Sequence, residues 1–307
     1  MKVYKDINAC KAKILASIRA YGNLAEHNYY NYLYNQTAKK KCVFFDFGNK
    51  KGLMAFYNKE TKIWYEINGI LSPQNEIIRI FKEFIKYALF KDKAKKVKTE
   101  MQEHLKDQLL QSIKDTEYKL TFNYFLHWPV YGLDRWDENL GGGQWKKLRN
   151  IRNRFQKLDL EITDPRKERI ETLRTLLSTW LRRRHPRDRV EFGYYQNLIE
   201  NKFEGIEIVR GLSIDGDLCS VSAGWKIPNS NDFYCGIGIF NYKYKDLGDF
   251  TNIEDLNFVK KLGYGNVDLG GSDEAILNFK SKFRPESIYR TCIFHISRKN
   301  GSGKISK

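Results

Sequence analysis

Hydrophobic and polar residues follow a strand pattern and then a helix pattern in the first part of the chain. Three short runs rich in β-branched and aromatic residues predict strands at Cys42–Phe47, Leu53–Tyr57 and Ile63–Ile67. Apolar residues at helical spacing predict helices over about Pro73–Leu89 and Lys98–Ile113. Three strands followed by two helices indicate a small α/β unit.

The second part of the chain repeats this style. Helices are predicted over about Gln144–Leu158, Pro165–Arg184 and Phe192–Lys202. Asp164 is the expected N-cap of the second helix, with Pro165 at its first position. Strands are predicted at Ile206–Ile214, Leu218–Ile227 and Phe233–Phe240, then a short helix at about Ile253–Leu262 and a strand at about Gly265–Leu269. The chain is therefore expected to contain two α/β halves.

An aromatic-rich segment, Leu120–Leu133, separates the halves and is predicted to be a strand with a crossing loop. We place the domains at residues 1–125 and 126–297. Residues 298–307 are polar and rich in Gly and Ser, which predicts a disordered tail. The GSGK sequence within the tail lacks the first glycine of a phosphate-binding loop and has no room for a following helix.

The composition excludes several classes of protein. Hydrophobic residues make up 41% of the 307 residues, which is enough for a substantial core. No apolar run approaches the roughly 20 residues of a membrane span, and the N-terminus has no signal-peptide core, so we expect a cytoplasmic protein without an integral membrane segment. Five scattered cysteines, none in C-x-x-C spacing, predict buried thiols rather than disulfides, and no metal site is expected.

The net charge of +17, from 54 Lys and Arg against 37 Asp and Glu, favours a polyanionic partner. Transfer RNA, another nucleic acid and an anionic membrane surface all fit such a field. An AT-rich genome that inflates the lysine content is the alternative explanation.

The most informative stretch is Leu140–Phe155, in which three glycines precede a basic helix. At about 100° per residue, one broad face of this helix is polar and basic. We predict that the basic side chains on it contact tRNA phosphates: Lys146, Lys147, Arg154 and Lys157. The polar residues Asn150 and Asn153 share that face.

Arg149 and Arg152 fall with the apolar residues of the same helix. Each would be partly desolvated and would need a buried anionic partner or a ligand. Substrate binding is one interpretation, and a structural ion pair with a core carboxylate is the other. A second basic cluster, Arg182, Arg183 and Arg184, closes a predicted helix, where it is either a solvated cap or a further tRNA contact.

Near the C-terminus, Asp268 ends a predicted strand just before the glycine turn Gly270–Gly271. Lys280 follows on a helical turn between two phenylalanines. A carboxylate and a lysine at the mouth of a sheet suit acyl transfer, the lysine stabilising an oxyanion and the carboxylate accepting a proton or holding an aminoacyl ammonium. An ordinary salt bridge between the two is the alternative.

Two motifs resemble one known family. R-N-x-x-N-R-F at Arg149–Phe155 resembles the signature of the phosphatidylglycerol lysyltransferase C-terminal domain family (DUF2156). D-L-G-G together with F-K-x-x-F, within Asp268–Phe283, is similar to that family and to the wider Fem-type aminoacyltransferases. The resemblance covers most of the chain and is strongest from about Leu120 to Ser297.

The resemblance implies an α/β (α+β) fold of tandem GNAT-like domains, each a mixed central sheet flanked by helices, with the active site in the second. It implies transfer of an aminoacyl group from charged tRNA to an amine or hydroxyl acceptor, without a cofactor. Arg149, Asn150 and Asn153 match the helix motif, and Asp268 and Lys280 match the C-terminal motif. We therefore predict that Asp268 and Lys280 are catalytic and that Arg149, Asn150 and Asn153 bind substrate. The residue pattern adds Arg152 and Gly270 to the predicted substrate-binding residues. The family's lipid-modifying members have a multi-span membrane region that is absent here, so the acceptor stays open among a lipid headgroup, a peptide and a small molecule.

Two other functions stay open. An acyl-CoA N-acyltransferase shares the fold, but the segment 242–250 lacks the [QR]-x-x-G-x-[GA] pyrophosphate loop that such enzymes usually show. A non-enzymatic nucleic-acid-binding protein would explain the charge but would leave Asp268 and Lys280 without a role.

Overall fold

The computed structural model describes residues 1–114, 116–184 and 192–299. They form two compact units, residues 1–127 with the C-terminal stretch from Arg290, and residues 128–289. The chain passes between the units within β7 (Tyr118–Gly132) and again within β13 (Ser287–Arg298). The two units therefore differ from the expected two consecutive domains, because the C-terminal stretch from Arg290 belongs to the first unit. The reason is that residues 291–296 of β13 pair with a strand of the first unit.

The first unit is an α/β layer structure with the strands β1 (Lys2–Tyr4), β2 (Lys40–Gly48), β3 (Lys51–Asn58), β4 (Ile63–Ile67), β5 (Ile70–Leu71) and β6 (Lys96–Gln102). Its helices are α1 (Lys11–Tyr21), α2 (Tyr29–Tyr34), α3 (Ile77–Lys86) and α4 (Glu103–Ile113). The strand order is β1-β2-β3-β4-β6-β13, with β5 beside β3. All neighbours are antiparallel except β4 and β6, which are parallel.

The hydrophobic pattern of α3 determines which face of the helix packs against the sheet. Ile80, Phe81, Phe84 and Ile85 lie on one face and are completely buried against the sheet. The prediction of a helix from Lys98 was wrong for its first residues. Residues 96–102 form β6 instead, because they gain a full parallel ladder with β4 that the helical spacing could not reveal.

The second unit contains the strands β8 (Leu160–Thr163), β9 (Ile208–Ile214), β10 (Asp217–Lys226), β11 (Asp232–Phe240) and β12 (Asn266–Asp268). Its helices are α5 (Lys146–Phe155), α6 (Ile170–Arg183), α7 (Phe192–Glu200), α8 (Leu247–Lys261) and α9 (Glu274–Lys280). The strand order is β7-β12-β11-β10-β9-β8, and only β11 and β12 are parallel.

Local chemistry explains several boundaries in this unit. Asp215 and Gly216 both have positive φ, 53° and 81°, which makes the two-residue turn that joins β9 to β10. The Asp164 carboxylate caps the turn at Pro165–Lys167 by accepting from the Arg166 N–H at 3.0 Å. The α-helix itself begins later, at Ile170, so the predicted start at Pro165 was early by one turn.

The cysteines behave largely as expected. All five thiols are free, and four are buried: Cys10, Cys42, Cys219 and Cys292. Cys235 is intermediate in exposure. Within the described ranges, none of the helices has both the length and the apolar composition required to cross a bilayer. The predicted disordered tail falls mostly on residues 300–307, which lie outside the described residues.

Candidate active site

In the second unit the parallel ladder between β11 and β12 ends partway along β11, and we call the place beyond its last pair the gap. The pairing of β11 with β12 consists of Asp232 with Asn266, Phe233 with Val267 and Tyr234 with Asp268. The strand β12 ends at Asp268, whereas β11 continues to Phe240. Ligands of α/β sheets bind beyond the carboxyl ends of such strands. The gap is therefore a candidate ligand-binding site.

A β-bulge shapes the β11 side of the gap. Trp225 pairs with Tyr234 and Ala223 pairs with Ile237, so Cys235 and Gly236 both stand opposite one residue of β10. A Cβ at Gly236 would lie 2.1 Å from the Tyr234 hydroxyl, so a side chain there would require the Tyr234 ring to move. Bulges beside active sites redirect backbone groups and side chains. The sequence analysis missed this feature, although a glycine inside a strand pattern was its signal.

Asp268 lies at the base of the gap and is almost completely buried. Its Oδ1 accepts the Gly270 N–H at 2.7 Å, and its Oδ2 accepts the Tyr289 hydroxyl at 2.9 Å. Burial raises the pKa of this carboxyl to about 6, while these two hydrogen bonds and the positive charge of Lys280 act in the opposite direction. At neutral pH Asp268 is a carboxylate with both oxygens oriented.

Lys280, the last residue of α9, is also buried, with 9% of its surface exposed. Its Nζ donates to the Leu269 carbonyl at 2.6 Å and to the Gly270 carbonyl at 2.8 Å. Burial lowers the pKa of this ammonium to about 8, and the Asp268 charge partly offsets the effect. Lysine and aspartate thus meet around one turn, since Gly270 donates its N–H to the carboxylate and its carbonyl accepts from the ammonium.

Gly270 makes this arrangement possible by its backbone conformation. Its φ is +87°, a region that L-residues with side chains rarely adopt. The glycine turn therefore presents the Gly270 N–H to Asp268 and the Gly270 carbonyl to Lys280 at the same time.

Aromatic side chains that the sequence analysis did not select surround the pair. Tyr131 donates its hydroxyl to the Lys280 carbonyl at 2.9 Å, which fixes the end of α9. The rings of Trp128 and Tyr289 stack with their centroids 5.7 Å apart. Trp128 and Tyr131 are buried together with the pair, and charges in such a buried position interact more strongly with a bound group than charges in water.

Arg149 and Arg152 lie on the inner side of α5 but have partners of another kind than expected. Arg149 donates to the carbonyls of Leu140 and, at 3.0 Å, Gly142. Arg152 donates to the carbonyls of Glu138 at 2.6 Å and Asn139 at 2.9 Å. The anionic partner expected for each arginine is therefore replaced by backbone carbonyls of the loop before the helix.

These contacts separate the arginines from the Asp268–Lys280 pair. The carbonyls that they hold belong to residues 138–142, whereas Lys280 holds residues 269–270. Leu140 has a positive φ of 54°, so the arginines hold this loop in an uncommon conformation. Arg149 and Arg152 thus hydrogen-bond to the loop, and among the described residues they share no hydrogen-bond partner with the Lys280 ammonium.

The outer face of α5 is exposed along its length: Lys146, Lys147, Asn150, Asn153, Arg154 and the following Lys157. Arg154 is partly neutralised by Asp246, whose carboxylate lies 2.9 Å from its guanidinium. At the end of α6, Arg182 and Arg183 are exposed, and the Arg184 guanidinium lies 4.5 Å from the centroid of the Trp180 ring. The neighbouring residues 185–191 lie outside the described part of the chain.

Comparison with solved structures establishes the fold. L-PGS from Bacillus licheniformis is similar at a TM-score of 0.68, with 16% identity over 95% of this chain and 92% of that chain. FemX is similar at a TM-score of 0.61, with 11% identity over 97% of each chain. A tandem GNAT protein from the clavulanic acid biosynthesis pathway gives a TM-score of 0.58, with 11% identity over 98% of this chain and 99% of that chain.

No family model matches the chain, and neither does any curated protein sequence. The structural likeness confirms the predicted fold class, a tandem GNAT-like arrangement of mixed sheets flanked by helices. The fold is also that of L-PGS, of a DUF2156 C-terminal domain and of FemX, as the resemblance of the two sequence motifs predicted.

Proposed function

We propose that the protein is an acyltransferase that moves an aminoacyl group from aminoacyl-tRNA to an amine or hydroxyl acceptor. The observation that carries this proposal is the Asp268–Lys280 pair, organised around Gly270 where the parallel strands β11 and β12 separate. The ester that joins an amino acid to tRNA is already activated. Catalysis then requires positioning, removal of one proton and stabilisation of an oxyanion.

The ammonium of Lys280 has three N–H groups, and two of them donate to the Leu269 and Gly270 carbonyls. Within the described residues no acceptor is present for the third, which we assign to the carbonyl oxygen of the bound ester. As the acceptor attacks the carbonyl carbon, this N–H stabilises the negative charge that develops on the oxygen. The burial of Lys280 keeps water from competing for that position.

Asp268 is the proposed proton acceptor. The attacking amine or hydroxyl loses its proton to the carboxylate as the new bond to the carbonyl carbon forms. When the tetrahedral intermediate collapses, the bond to the tRNA ribose oxygen breaks and that oxygen takes the proton. A carboxyl with a pKa of about 6 suits both transfers, because it is mostly ionised at neutral pH and still basic enough to accept a proton.

The tRNA donor is supported by charge and by likeness. The net charge of +17 and the exposed lysines of α5, Lys146 and Lys147, with Lys157 beyond its end, offer phosphate contacts. Another solved structure of similar fold is the C-terminal domain (DUF2156) of a putative lysylphosphatidylglycerol synthetase from Agrobacterium fabrum, an enzyme named for a product that carries a lysyl group. The acceptor is proposed only as an amine or hydroxyl, on a small molecule, a peptide or a lipid headgroup.

A second candidate function is acyl-CoA-dependent N-acyl transfer. It is favoured by one specific observation, the likeness to the tandem GNAT protein. The segment 242–250, which precedes and begins α8, lacks the glycine pattern of a pyrophosphate loop, and this weighs against it.

One experiment separates the two donors. Purified protein is incubated with cell extract as acceptor and either mixed radiolabelled aminoacyl-tRNAs or labelled acetyl-CoA. We expect label to move from tRNA, to be lost in Lys280→Ala and to be kept in Lys261→Ala, which changes an exposed lysine at the end of α8. Transfer from acetyl-CoA alone would establish the second candidate, and RNA binding without any transfer would refute both.

A further inference from the structure

One face of the sheet in the first unit carries basic and aromatic side chains where β6, β13 and β7 lie side by side. On β6, Val97 and Met101 are buried in the core that contains α3. Because side chains alternate along a strand, Lys96 and Lys98 lie on the opposite face. Lys98 pairs with His295 of β13, and both neighbours of His295 in the chain are buried in the same core. His295 therefore lies on the face of the two lysines.

The strand β7 continues this surface. The Asn123 Oδ1 lies 3.1 Å from the His295 Nδ1, and the Lys98 Nζ lies 6.0 Å from the centroid of the Tyr124 ring. Asn123 is exposed, and 47% of the Tyr124 surface is exposed. These two contacts connect β7 with β13 and with β6, so an accessible aromatic ring and the lysines share one surface, which we call the basic sheet face.

Lysines surround the histidine of this face. Burial is the main cause that lowers the pKa of His295. The same pKa is lowered further by the positive charges of Lys96, Lys119 and Lys98. The imidazole is therefore mostly neutral at pH 7, and the lysines supply the positive charge of the basic sheet face. The polyanionic partner that the net charge of +17 favours thus has a second place to bind, apart from α5.

The chemistry of the face fits a nucleic acid. The ring of Tyr124 offers a plane on which a base can stack, and the surrounding ammonium groups offer contacts to phosphates. Bases in a duplex are stacked on one another, so only an unpaired base can reach the ring. An anionic membrane fits less well, because the exposed neighbours of Tyr124 on this face, Asn123 and Lys119, provide no apolar surface to insert.

We propose that the basic sheet face binds a single-stranded segment of nucleic acid, with a base stacked on Tyr124 and phosphates at the surrounding lysines. The surface lies within the first unit, and its function is independent of the transfer reaction. Stacking and phosphate contact are both tolerant of sequence, so binding should depend on the single-stranded state rather than on a particular base order.

The test measures fluorescence anisotropy of labelled strands with the full-length Lys146→Ala/Lys147→Ala/Lys157→Ala variant, in which the exposed lysines of α5 no longer contribute. The probes are oligouridine and oligodeoxythymidine of about ten nucleotides, a duplex RNA of the same length and vesicles of phosphatidylglycerol. We expect the single strands to bind at least about fivefold more tightly than the duplex. The tighter of the two strands would identify RNA or DNA as the partner. Because the assay needs no aminoacyl group, its result does not depend on whether the protein transfers one.

Substitutions of tyrosine test the stacking. Tyr124→Leu should weaken single-strand binding by at least about fivefold, the lower end of the effect of removing a stacking ring, whereas Tyr124→Phe should keep it. Tyr242→Leu is the matched control in the second unit, because Tyr242 is also 47% exposed, and it should bind normally.

Substitutions of lysine test the phosphate contacts. Changing Lys96 and Lys98 together to Ala should reduce the slope of log K against log salt by up to about 1.4, since each phosphate contact of a single strand contributes about 0.7. Changing Lys5 and Lys86, two exposed lysines elsewhere in the first unit, should leave the slope unchanged.

Four results would overturn the proposal. They are equal affinity for the duplex and the single strands, unchanged binding in Tyr124→Leu, an unchanged salt slope in the variant with Lys96 and Lys98 replaced, and binding to the vesicles without binding to either strand.

Discussion

Replacing Lys280 by methionine removes the ammonium but keeps an unbranched side chain of similar length at the end of α9. In the proposed mechanism the variant loses the N–H that stabilises the oxyanion. Removal of one such donor typically lowers kcat by about 10²–10³, or roughly 3–4 kcal/mol. The Lys280→Met variant should show that loss in transfer from aminoacyl-tRNA.

The stability of the same variant should change little, because two effects oppose each other. Burial lowers the Lys280 pKa from 10.5 to about 8, and at about 1.4 kcal/mol per pKa unit the charged form costs about 3 kcal/mol. This cost is fully present at pH 7, where the lysine is protonated in both the folded and the unfolded state. Its removal is offset by the loss of the hydrogen bonds to the Leu269 and Gly270 carbonyls, about 1–3 kcal/mol for each unsatisfied group.

The assay pairs single-turnover transfer with urea unfolding at pH 7. We expect a large loss of activity with a free energy of unfolding within about 2 kcal/mol of the wild type. Lys261→Met, at an exposed position, is the matched control and should be normal in both measurements. Unchanged transfer in folded Lys280→Met would refute the role of the ammonium, since the fold would then be intact without it.

Three further predictions follow from the same contacts. The pH profile of kcat/KM should rise with an apparent pKa of about 6, because Asp268 must be ionised, and fall with an apparent pKa of about 8, because Lys280 must be protonated. A flat profile between pH 5 and 9 in stopped-flow measurements would contradict these roles. Changing Lys146, Lys147 and Lys157 together to Ala should weaken tRNA binding and reduce the slope of log K against log salt by up to about 3 in filter-binding assays, whereas an unchanged slope would exclude this face. Burial raises the pKa of the Glu66 carboxyl to about 7, which stabilises the native state fully below pH 4.5 and no longer does so once the pH has risen through about 7. Glu66→Gln should therefore reduce the change in the free energy of urea unfolding over this pH range by about 3 kcal/mol. If wild type and variant showed the same pH dependence, Glu66 would not have a raised pKa.

The sequence predicted most of the regular elements, because their hydrophobic periodicity corresponds to local burial. The predicted strand Phe233–Phe240 corresponds to β11 (Asp232–Phe240), and the predicted helix Phe192–Lys202 corresponds to α7 (Phe192–Glu200). Among the elements that the sequence analysis did not identify, β13 has the largest effect on the domain boundaries. Its alternating residues, such as Cys292, Phe294 and Ile296, are buried in the first unit, although they follow the second unit in the chain. Only the ladder with β6 reveals that return.

Some residues of the candidate site were likewise predicted from the sequence, and others were not. Asp268, Gly270 and Lys280 were selected from the sequence, and the structure brings them together because the strand end, the turn and the helix end are close in the chain. Tyr289 was not selected, because it acts through a partner that sequence spacing does not show. The bulge was missed although Gly236 lies inside a predicted strand, because its register depends on the neighbouring strand β10. Arg149 was expected to contact an anion. Its guanidinium lies over the loop that precedes its own helix and donates to the carbonyls of Leu140 and Gly142 instead.

The most direct test of the central claim is a crystal structure of the protein with a non-hydrolysable mimic of the tRNA 3′ end, an adenosine whose amino acid is joined by an amide instead of an ester. We predict that the amide carbonyl oxygen lies within hydrogen-bonding distance of the Lys280 Nζ, in the gap between β11 and β12. A mimic bound with its carbonyl elsewhere, and with Lys280 still contacting only Leu269 and Gly270, would contradict the proposal.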